Sequence, residues 1–188
     1  MDSDEALLRL KQGNSRFFSS QLRVKDTIKR RAEVKGGQEP YATIVSCSDS
    51  RVVPEYIFDA DMGHIFTVRT AGNVVDAIGL GSIEYGVEHL HTPVVVVMGH
   101  QFCGAVKATC DSKGESSEGH IKDIVDEVKK AGAKKNYDIN ATIMENVLCT
   151  IEKLRGESGI VSKLEKEGKL KIAGAYYSLE SGMVDFFA

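Results

Sequence analysis

The most informative stretch of the 188-residue sequence is residues 94–104, which read VVVVMGHQFCG. Residues 94–98 form an apolar, mostly β-branched run that is typical of a strand buried on both faces of a parallel sheet. The run is followed at once by a histidine and a cysteine, His100 and Cys103, with a glycine on either side of the pair. The stretch therefore predicts a central strand whose carboxyl end carries metal-ligating or nucleophilic side chains.

Similar runs and the segments between them predict the remaining secondary structure. The further strand candidates are residues 42–47, 65–68, 170–176 and 183–187. Helical patterns occupy residues 77–89, 105–110, 121–131, 139–154 and 160–167, and a polar loop is predicted for residues 111–119. Strands that alternate with helices indicate an α/β fold with a mainly parallel central sheet of four strands, flanked by helices. The short connection 178–182 makes the fifth strand an antiparallel edge strand.

The N-terminal part differs from the rest of the chain. Residues 4–19 carry apolar side chains at helical spacing, which Gly13-Asn14 interrupts, so a bend is predicted there. A second, polar helix is predicted for residues 27–35. Neither segment has an obvious core of its own. We therefore expect residues 1–37 to form an N-terminal helical arm that packs on a partner subunit, and residues 38–188 to form the α/β domain that carries the site.

Composition and charge narrow the class of protein. Hydrophobic residues make up 42% and charged residues 27% of the chain, as in ordinary soluble globular proteins. The formal net charge of −3 and short, balanced basic clusters predict no nucleic-acid partner. No apolar run reaches the roughly 20 residues of a membrane helix, and the acidic N-terminus is unlike a secretory signal, so we expect a cytoplasmic protein with no membrane partner. Four cysteines are too few for a dense disulfide framework and fit metal ligands or nucleophiles better.

A second polar cluster, CSDSR at residues 47–51, follows the first predicted strand. In open parallel sheets ligands bind outside the carboxyl ends of the strands, so this cluster and the one after residue 98 are predicted to meet in one crevice. The thiolates of Cys47 and Cys103 and the imidazole of His100 form a three-ligand set that suits Zn²⁺ and leaves a fourth position open. A structural zinc site usually has four ligands in two close pairs, so this pattern favours a reactive centre.

Other interpretations of these residues stay open at this point. A cysteine at a strand end is commonly a small core residue, and a Cys–Arg loop can also grip an oxyanion. The oxyanion interpretation gives His100 and Cys103 no task. Asp49 and Arg51 are either an exposed ion pair of little consequence or a carboxylate that a bidentate guanidinium holds beside the metal. We favour the second interpretation because both residues share the short loop with Cys47.

Taken together, the two clusters resemble the paired signature of the β-carbonic anhydrases. The likeness extends over nearly all of residues 5–187 and includes the stretches GNSRF at 13–17, FTVRTAGN at 66–73, SIEYGV at 82–87 and GAYY at 174–177. The resemblance implies reversible hydration of carbon dioxide to bicarbonate and a proton. It also implies one Zn²⁺ per chain, with the ligands Cys47, His100 and Cys103 and the catalytic dyad Asp49 and Arg51.

The resemblance further implies a substrate pocket that two subunits share. Ala71 falls on an apolar pocket position of the family, and Gly104 falls on the backbone turn after the last ligand. Gln38 matches a glutamine that hydrogen-bonds substrate, and it is expected to reach the site from the neighbouring subunit together with Phe66 and Tyr85. A homodimer, or a tetramer of paired dimers, is therefore implied.

The sequence also bears on regulation and on rival activities. One subgroup of the family is regulated by bicarbonate at a second site that uses a tryptophan three residues before the first ligand. This chain has Ile44 there and no tryptophan, although Arg69, which also matches that site, is retained. We therefore expect the constitutively open form. Two alternatives stay open, namely hydrolysis of carbon disulfide or carbonyl sulfide on the same scaffold, and a non-catalytic zinc-binding module.

Overall fold

The computed structural model describes residues 1–115 and 118–187 and contains one five-stranded sheet. The strands are β1 (Ala42–Cys47), β2 (Ile65–Thr70), β3 (Val94–His100), β4 (Lys171–Tyr177) and β5 (Val184–Phe187). Their order across the sheet is β2-β1-β3-β4-β5. The first four strands are parallel, and β5 is antiparallel to β4. The predicted fold class is thus confirmed.

Helices cover both faces of the sheet. They are α1 (Ser3–Phe18), α2 (Thr27–Val34), α3 (Pro54–Ile57), α4 (Ala77–Glu84), α5 (Gly104–Asp111), α6 (Ile121–Lys134), α7 (Ile139–Glu157) and α8 (Gly159–Lys166). A 3₁₀ turn, Ala71–Asn73, follows β2, and a π-helical turn, Tyr85–His89, continues α4. The loop predicted for residues 111–119 includes Ser116 and Ser117, which lie outside the described residues. Helix α3 and the 3₁₀ turn were not predicted from the sequence.

The side chains of β3 point alternately to the two faces of the sheet, which explains why its sequence is continuously apolar. Val94, Val96 and Met98 pack into a core on one face with residues of α1. Val95 and Val97 pack into a second core on the other face with residues of α7. Successive side chains of a strand point to opposite faces, so a strand covered on both sides must be apolar at every position. The core therefore fixes β3 in the middle of the sheet.

Helix α1 is continuous through Gly13 and Asn14, so the predicted bend is not observed. The buried Asn14 side chain donates from Nδ2 to the carbonyl oxygens of Ile57 and Gly182, at 3.2 and 2.9 Å. Its Oδ1 accepts a hydrogen bond of 2.8 Å from Val184 N. The polar pair that interrupts the apolar pattern thus serves tertiary contacts, because a buried amide needs partners and these lie on other segments.

A buried carboxylate after α3 ties down the end of α1 and the segment that follows it. Arg16 Nε and Arg23 Nε lie 2.6 and 2.9 Å from Asp59 Oδ2, and Lys25 Nζ lies 3.3 Å from Asp59 Oδ1. Burial opposes ionisation of Asp59, but the hydrogen bonds from these cations keep its pKa below the ordinary value. The ion cluster therefore holds the N-terminal segment against its own domain.

The N-terminal helices differ in how they are covered. Ala6 and Leu10 of α1 are fully buried in the core of the chain itself. In contrast, α2 has no buried residue, and Ile28 is 75% exposed. The division into an arm of residues 1–37 and a domain of residues 38–188 stays a prediction.

Within the described residues, no helix combines the length and apolarity that crossing a bilayer requires.

Replacing Gly13 tests the close packing of α1. A Cβ atom at this position would overlap the Phe58 carbonyl oxygen, which is backbone and cannot move aside easily. We expect Gly13→Ala to lower the free energy of unfolding by about 1–3 kcal/mol, measured by urea denaturation. The control is Gly156→Ala in α7, where a Cβ would meet nothing within 4 Å. Equal stability of the two variants would contradict the proposed contact.

Candidate metal centre

Three potential metal ligands meet at the carboxyl edge of the sheet. Strands β1 and β3 are parallel neighbours, with Ser46 beside Met98, so Cys47 and His100 both emerge at this edge. Cys103 follows three residues later as the N-cap of α5. The ligand atoms of Cys47, His100 and Cys103 all lie within 4.8 Å of one another, and all three residues are buried. The structure thus brings together the ligand set that the sequence predicts.

The imidazole of His100 is oriented as a metal ligand. Its Nδ1 lies 2.9 Å from the Gln101 carbonyl oxygen, which is a hydrogen bond when Nδ1 carries the proton. That tautomer leaves a lone pair on Nε2. Nε2 is buried and has no hydrogen-bond partner among the described residues. A buried polar atom without a partner is costly, and a metal ion at this point would satisfy it.

The two cysteine sulfurs share a negative charge. A hydrogen bond from the Cys103 thiol lowers the pKa of Cys47, which also accepts from Asp49 N at 3.4 Å and Gly72 N at 3.3 Å. Giving that hydrogen bond to Cys47 raises the pKa of Cys103. The two sulfurs therefore lie within reach of one cation, which would be bound by two thiolates if it displaced the proton between them.

The donor set fits zinc. Two thiolates and one imidazole are ligands that zinc prefers, and three protein ligands leave the fourth tetrahedral position open for water or substrate. The orphaned Nε2 of His100 and the shared charge of the sulfurs are the features of this chain that support the fit. Cys110 and Cys149 are not members of the group.

Asp49 and Arg51 form a bidentate ion pair beside the cluster. Arg51 Nε donates to Asp49 Oδ1 at 3.0 Å, and Arg51 Nη2 donates to Asp49 Oδ2 at 2.8 Å. Hydrogen bonds from the Arg51 side chain lower the pKa of Asp49 to about 2, so its carboxylate is ionised at neutral pH. Arg51 Nη2 also donates to the Phe102 carbonyl oxygen at 3.3 Å, which links the two ligand loops.

Arg69 has a bracing role that the sequence did not reveal. Its Nε donates to the Cys47 carbonyl oxygen at 3.1 Å, and its Nη2 donates to the Asp49 carbonyl oxygen at 2.8 Å. The guanidinium thus fixes the backbone of the loop that carries both a ligand and the carboxylate. Its position at an exposed site on strand β2 was the available signal, because an arginine beside a ligand loop can satisfy backbone carbonyls.

Among the predicted pocket residues, Ala71 and Gly104 lie near the metal centre. Ala71 precedes Gly72, whose backbone N–H contacts the sulfur of Cys47. Ala71 also lines a cavity of about 620 Å³ between the 3₁₀ turn and α6. Gly104 follows Cys103 directly, and a Cβ atom there would meet nothing within 4 Å, so the space in front of it is open.

Phe66, Tyr85 and Gln38 lie elsewhere in the chain. Phe66 pairs with Thr43 at the start of β1, four positions before the pair that includes Cys47, which is about 13 Å along a strand. The rings of Phe66 and Tyr85 are 6.1 Å apart, so these two residues form one aromatic group. Gln38 is exposed and precedes β1. Phe66 and Tyr85 thus lie away from the metal centre of their own chain.

Comparisons with known proteins identify the family of the chain. A family model described as carbonic anhydrase matches residues 42–184. Carbonic anhydrase of Mycolicibacterium smegmatis is 40% identical over 186 residues, which covers 94% of this chain and 89% of that protein. Carbonic anhydrase 2 of Mycobacterium tuberculosis is 38% identical over 180 residues, covering 92% of this chain and 87% of that protein.

A solved structure gives the class within that group. The β-carbonic anhydrase of Coccomyxa in complex with acetazolamide matches with a TM-score of 0.76 and 27% identity, covering 91% of this chain and 82% of that chain. Fold and site together define an enzyme of the β-carbonic anhydrase class. The chain belongs to the carbonic anhydrase family. The predicted resemblance and the predicted enzyme are therefore confirmed.

Removing one sulfur tests the ligand set. Cys103→Ala deletes one of the three ligands and should lose most bound zinc, measured as metal per chain after gel filtration. The matched control is Cys110→Ala, which removes a buried cysteine of the same core cluster that lies outside the ligand group. Zinc content of the control should stay at the wild-type level. Full retention of zinc by Cys103→Ala would remove this residue from the site.

Proposed function

We propose that this protein catalyses the zinc-dependent, reversible hydration of carbon dioxide to bicarbonate and a proton. The observation that carries the proposal is the buried Cys47–His100–Cys103 group with an ionised Asp49 on the same loop. When bound, zinc supplies the Lewis acidity that makes water a nucleophile near neutral pH. The family membership of the chain supports the reaction class.

Asp49 orients the attacking water. Because its carboxylate is ionised, it only accepts hydrogen bonds, so a water beside it must donate a hydrogen bond to it and can then turn a lone pair toward the substrate. Arg51 holds both carboxylate oxygens, which restricts rotation of the Asp49 side chain. Arg69 fixes the backbone below it. These contacts keep the acceptor in place before the reaction begins, which is the source of catalytic advantage in an oriented site.

The apolar residues make room for a substrate without a net charge. Ala71 offers a small apolar surface beside the metal centre, and Gly104 leaves open space in front of it. Phe66 and Tyr85 present an aromatic pair from the surface of the chain, where Tyr85 is 49% exposed. In a dimer this pair closes the pocket of the partner, and the Gln38 amide donates to a substrate oxygen as negative charge develops there.

A non-catalytic zinc module is disfavoured by the Asp49–Arg51 pair. A structural zinc site has no need of an ionised carboxylate beside an open coordination position. The rival hydrolysis of carbon disulfide or carbonyl sulfide uses the same ligands, so activity against all three substrates must be compared.

The role of Asp49 is tested by stopped-flow hydration of carbon dioxide with zinc-loaded protein. We expect Asp49→Ala to lower turnover on the order of 10- to 1000-fold at equal zinc content, because the orienting acceptor is lost. The control is Asp111→Ala, which removes only an exposed ion pair with Lys107 and should leave turnover unchanged. Wild-type turnover in Asp49→Ala would refute the assigned role. Inactivity of the zinc-loaded wild type toward carbon dioxide, with turnover of carbonyl sulfide or carbon disulfide, would replace the proposed reaction.

Sharing of the pocket between subunits is tested by mixing two defective chains. Gln38→Ala and Asp49→Ala chains are unfolded separately, combined in equal amounts and refolded. If each site takes Gln38 from its partner, a mixed dimer contains one intact site, and random pairing restores about a quarter of wild-type activity. Sites contained within one chain would give only the mean of the two parent variants. Sedimentation of the wild type should show an even-numbered oligomer.

A further inference from the structure

Gly72 provides a backbone hydrogen bond to a metal ligand. Its N–H lies 3.3 Å from the sulfur of Cys47. The residue adopts a φ of +67°, and a Cβ atom would approach Ala105 Cβ at 3.2 Å and Val128 Cγ2 at 3.4 Å. Only glycine tolerates both the conformation and the space without strain. The direction of this N–H therefore depends on how the 3₁₀ turn is held.

A side chain of α7 holds the turn. Asn146 is 2% exposed, and its Nδ2 donates to the Gly72 carbonyl oxygen at 2.7 Å. One turn further along α7, Thr150 Oγ1 lies 3.4 Å from the Asn73 carbonyl oxygen. The contact of Asn146 is the shorter of the two, and it acts on the same residue whose N–H reaches Cys47. Gly72 thus makes both hydrogen bonds, because its N–H donates to Cys47 and its carbonyl oxygen accepts from Asn146.

Apolar side chains lie near Asn146 on α7, so burial of its amide is unfavourable without hydrogen bonds. Ile143 and Val147, on either side of Asn146, are buried and pack in the hydrophobic cores. Their methyl groups would lie 3.1 and 2.9 Å from a Cβ atom placed at Gly99, so this part of the helix is pressed against β3. A buried amide in such surroundings is unfavourable unless its hydrogen bonds are made. Its contact with the turn therefore sets the orientation of the Gly72 peptide groups.

We propose that Asn146 is a positioning residue for the metal centre. By fixing Gly72, it aims a backbone donor at the Cys47 thiolate and places Ala71 at the substrate pocket. A hydrogen bond to a thiolate ligand draws charge away from the metal, and residues that orient ligands in this way affect metal affinity. The inference rests on the proposed function, because it requires a metal at this site. It adds to the site a residue that lies 43 positions after Cys103.

The test compares three variants loaded with zinc or with Co²⁺ as a spectroscopic probe. Asn146→Ala removes the donor, and Asn146→Asp keeps the shape of the side chain but replaces the donor by an acceptor. Thr142→Val is the control, because Thr142 lies on the same helix, is buried, and its Oγ1 has no hydrogen-bond partner within the described ranges. Zinc affinity is measured by competition with a chromophoric chelator, the thiolate-to-cobalt charge-transfer absorption by spectrophotometry, and stability by urea denaturation.

We expect both Asn146 variants to bind zinc about 10- to 100-fold more weakly and to shift the charge-transfer band. Thr142→Val should match the wild type in both measurements. If Asn146→Ala does not fold, the isosteric Asn146→Asp decides the question. Wild-type zinc affinity and an unshifted band in a folded Asn146 variant would overturn the inference, even if its stability fell. Failure of the proposed function would look different, because the wild type itself would then lack zinc binding or hydration activity.

Discussion

The parallel pairing of β1 with β3 is the constraint on which the rest of the site depends. It brings Cys47 and His100 to one edge of the sheet, and the side chains of both strands alternate between two hydrophobic cores. A shift by one residue would move every side chain of a strand into the opposite core, where it would have to fit against differently shaped neighbours. The hydrophobic cores therefore determine the distance between two candidate metal ligands that are 53 positions apart in the sequence.

Backbone N–H groups and two arginines compensate the negative charge at the site. Two sulfurs and the carboxylate of Asp49 place negative charge in a small, partly dry region, which is costly unless it is compensated. Backbone donors compensate the Cys47 sulfur, Arg51 compensates Asp49, and Arg69 binds the carbonyl oxygens between them.

Much of this arrangement could be predicted from the sequence, because the signals are local. Apolar runs predicted the strands, and the types of residue at the ends of two strands predicted the candidate ligands that the structure brings together. Other features depend on residues that are distant in sequence. The hydrogen bond from Asn146 to Gly72 spans 74 positions. The polar pair that interrupts the pattern of α1 looked like a bend because the partners of Asn14 lie in α3, just before β5 and at the start of β5. The distance of Phe66 from the ligands followed only from the strand register.

The contacts of Asn14 have a consequence for biosynthesis. This side chain, near the start of the chain, is bonded to the backbone at Gly182 and Val184, 168 and 170 positions later. A ribosome makes the protein from its N-terminus, so α1 has left the ribosome long before these partners exist. Until then, the final hairpin cannot pack on the apolar face of the helix. Closing so long a loop is slow compared with local folding. These contacts therefore form only after residues 182–184 have been made, and a chain that still lacks them is the form that most needs protection by chaperones.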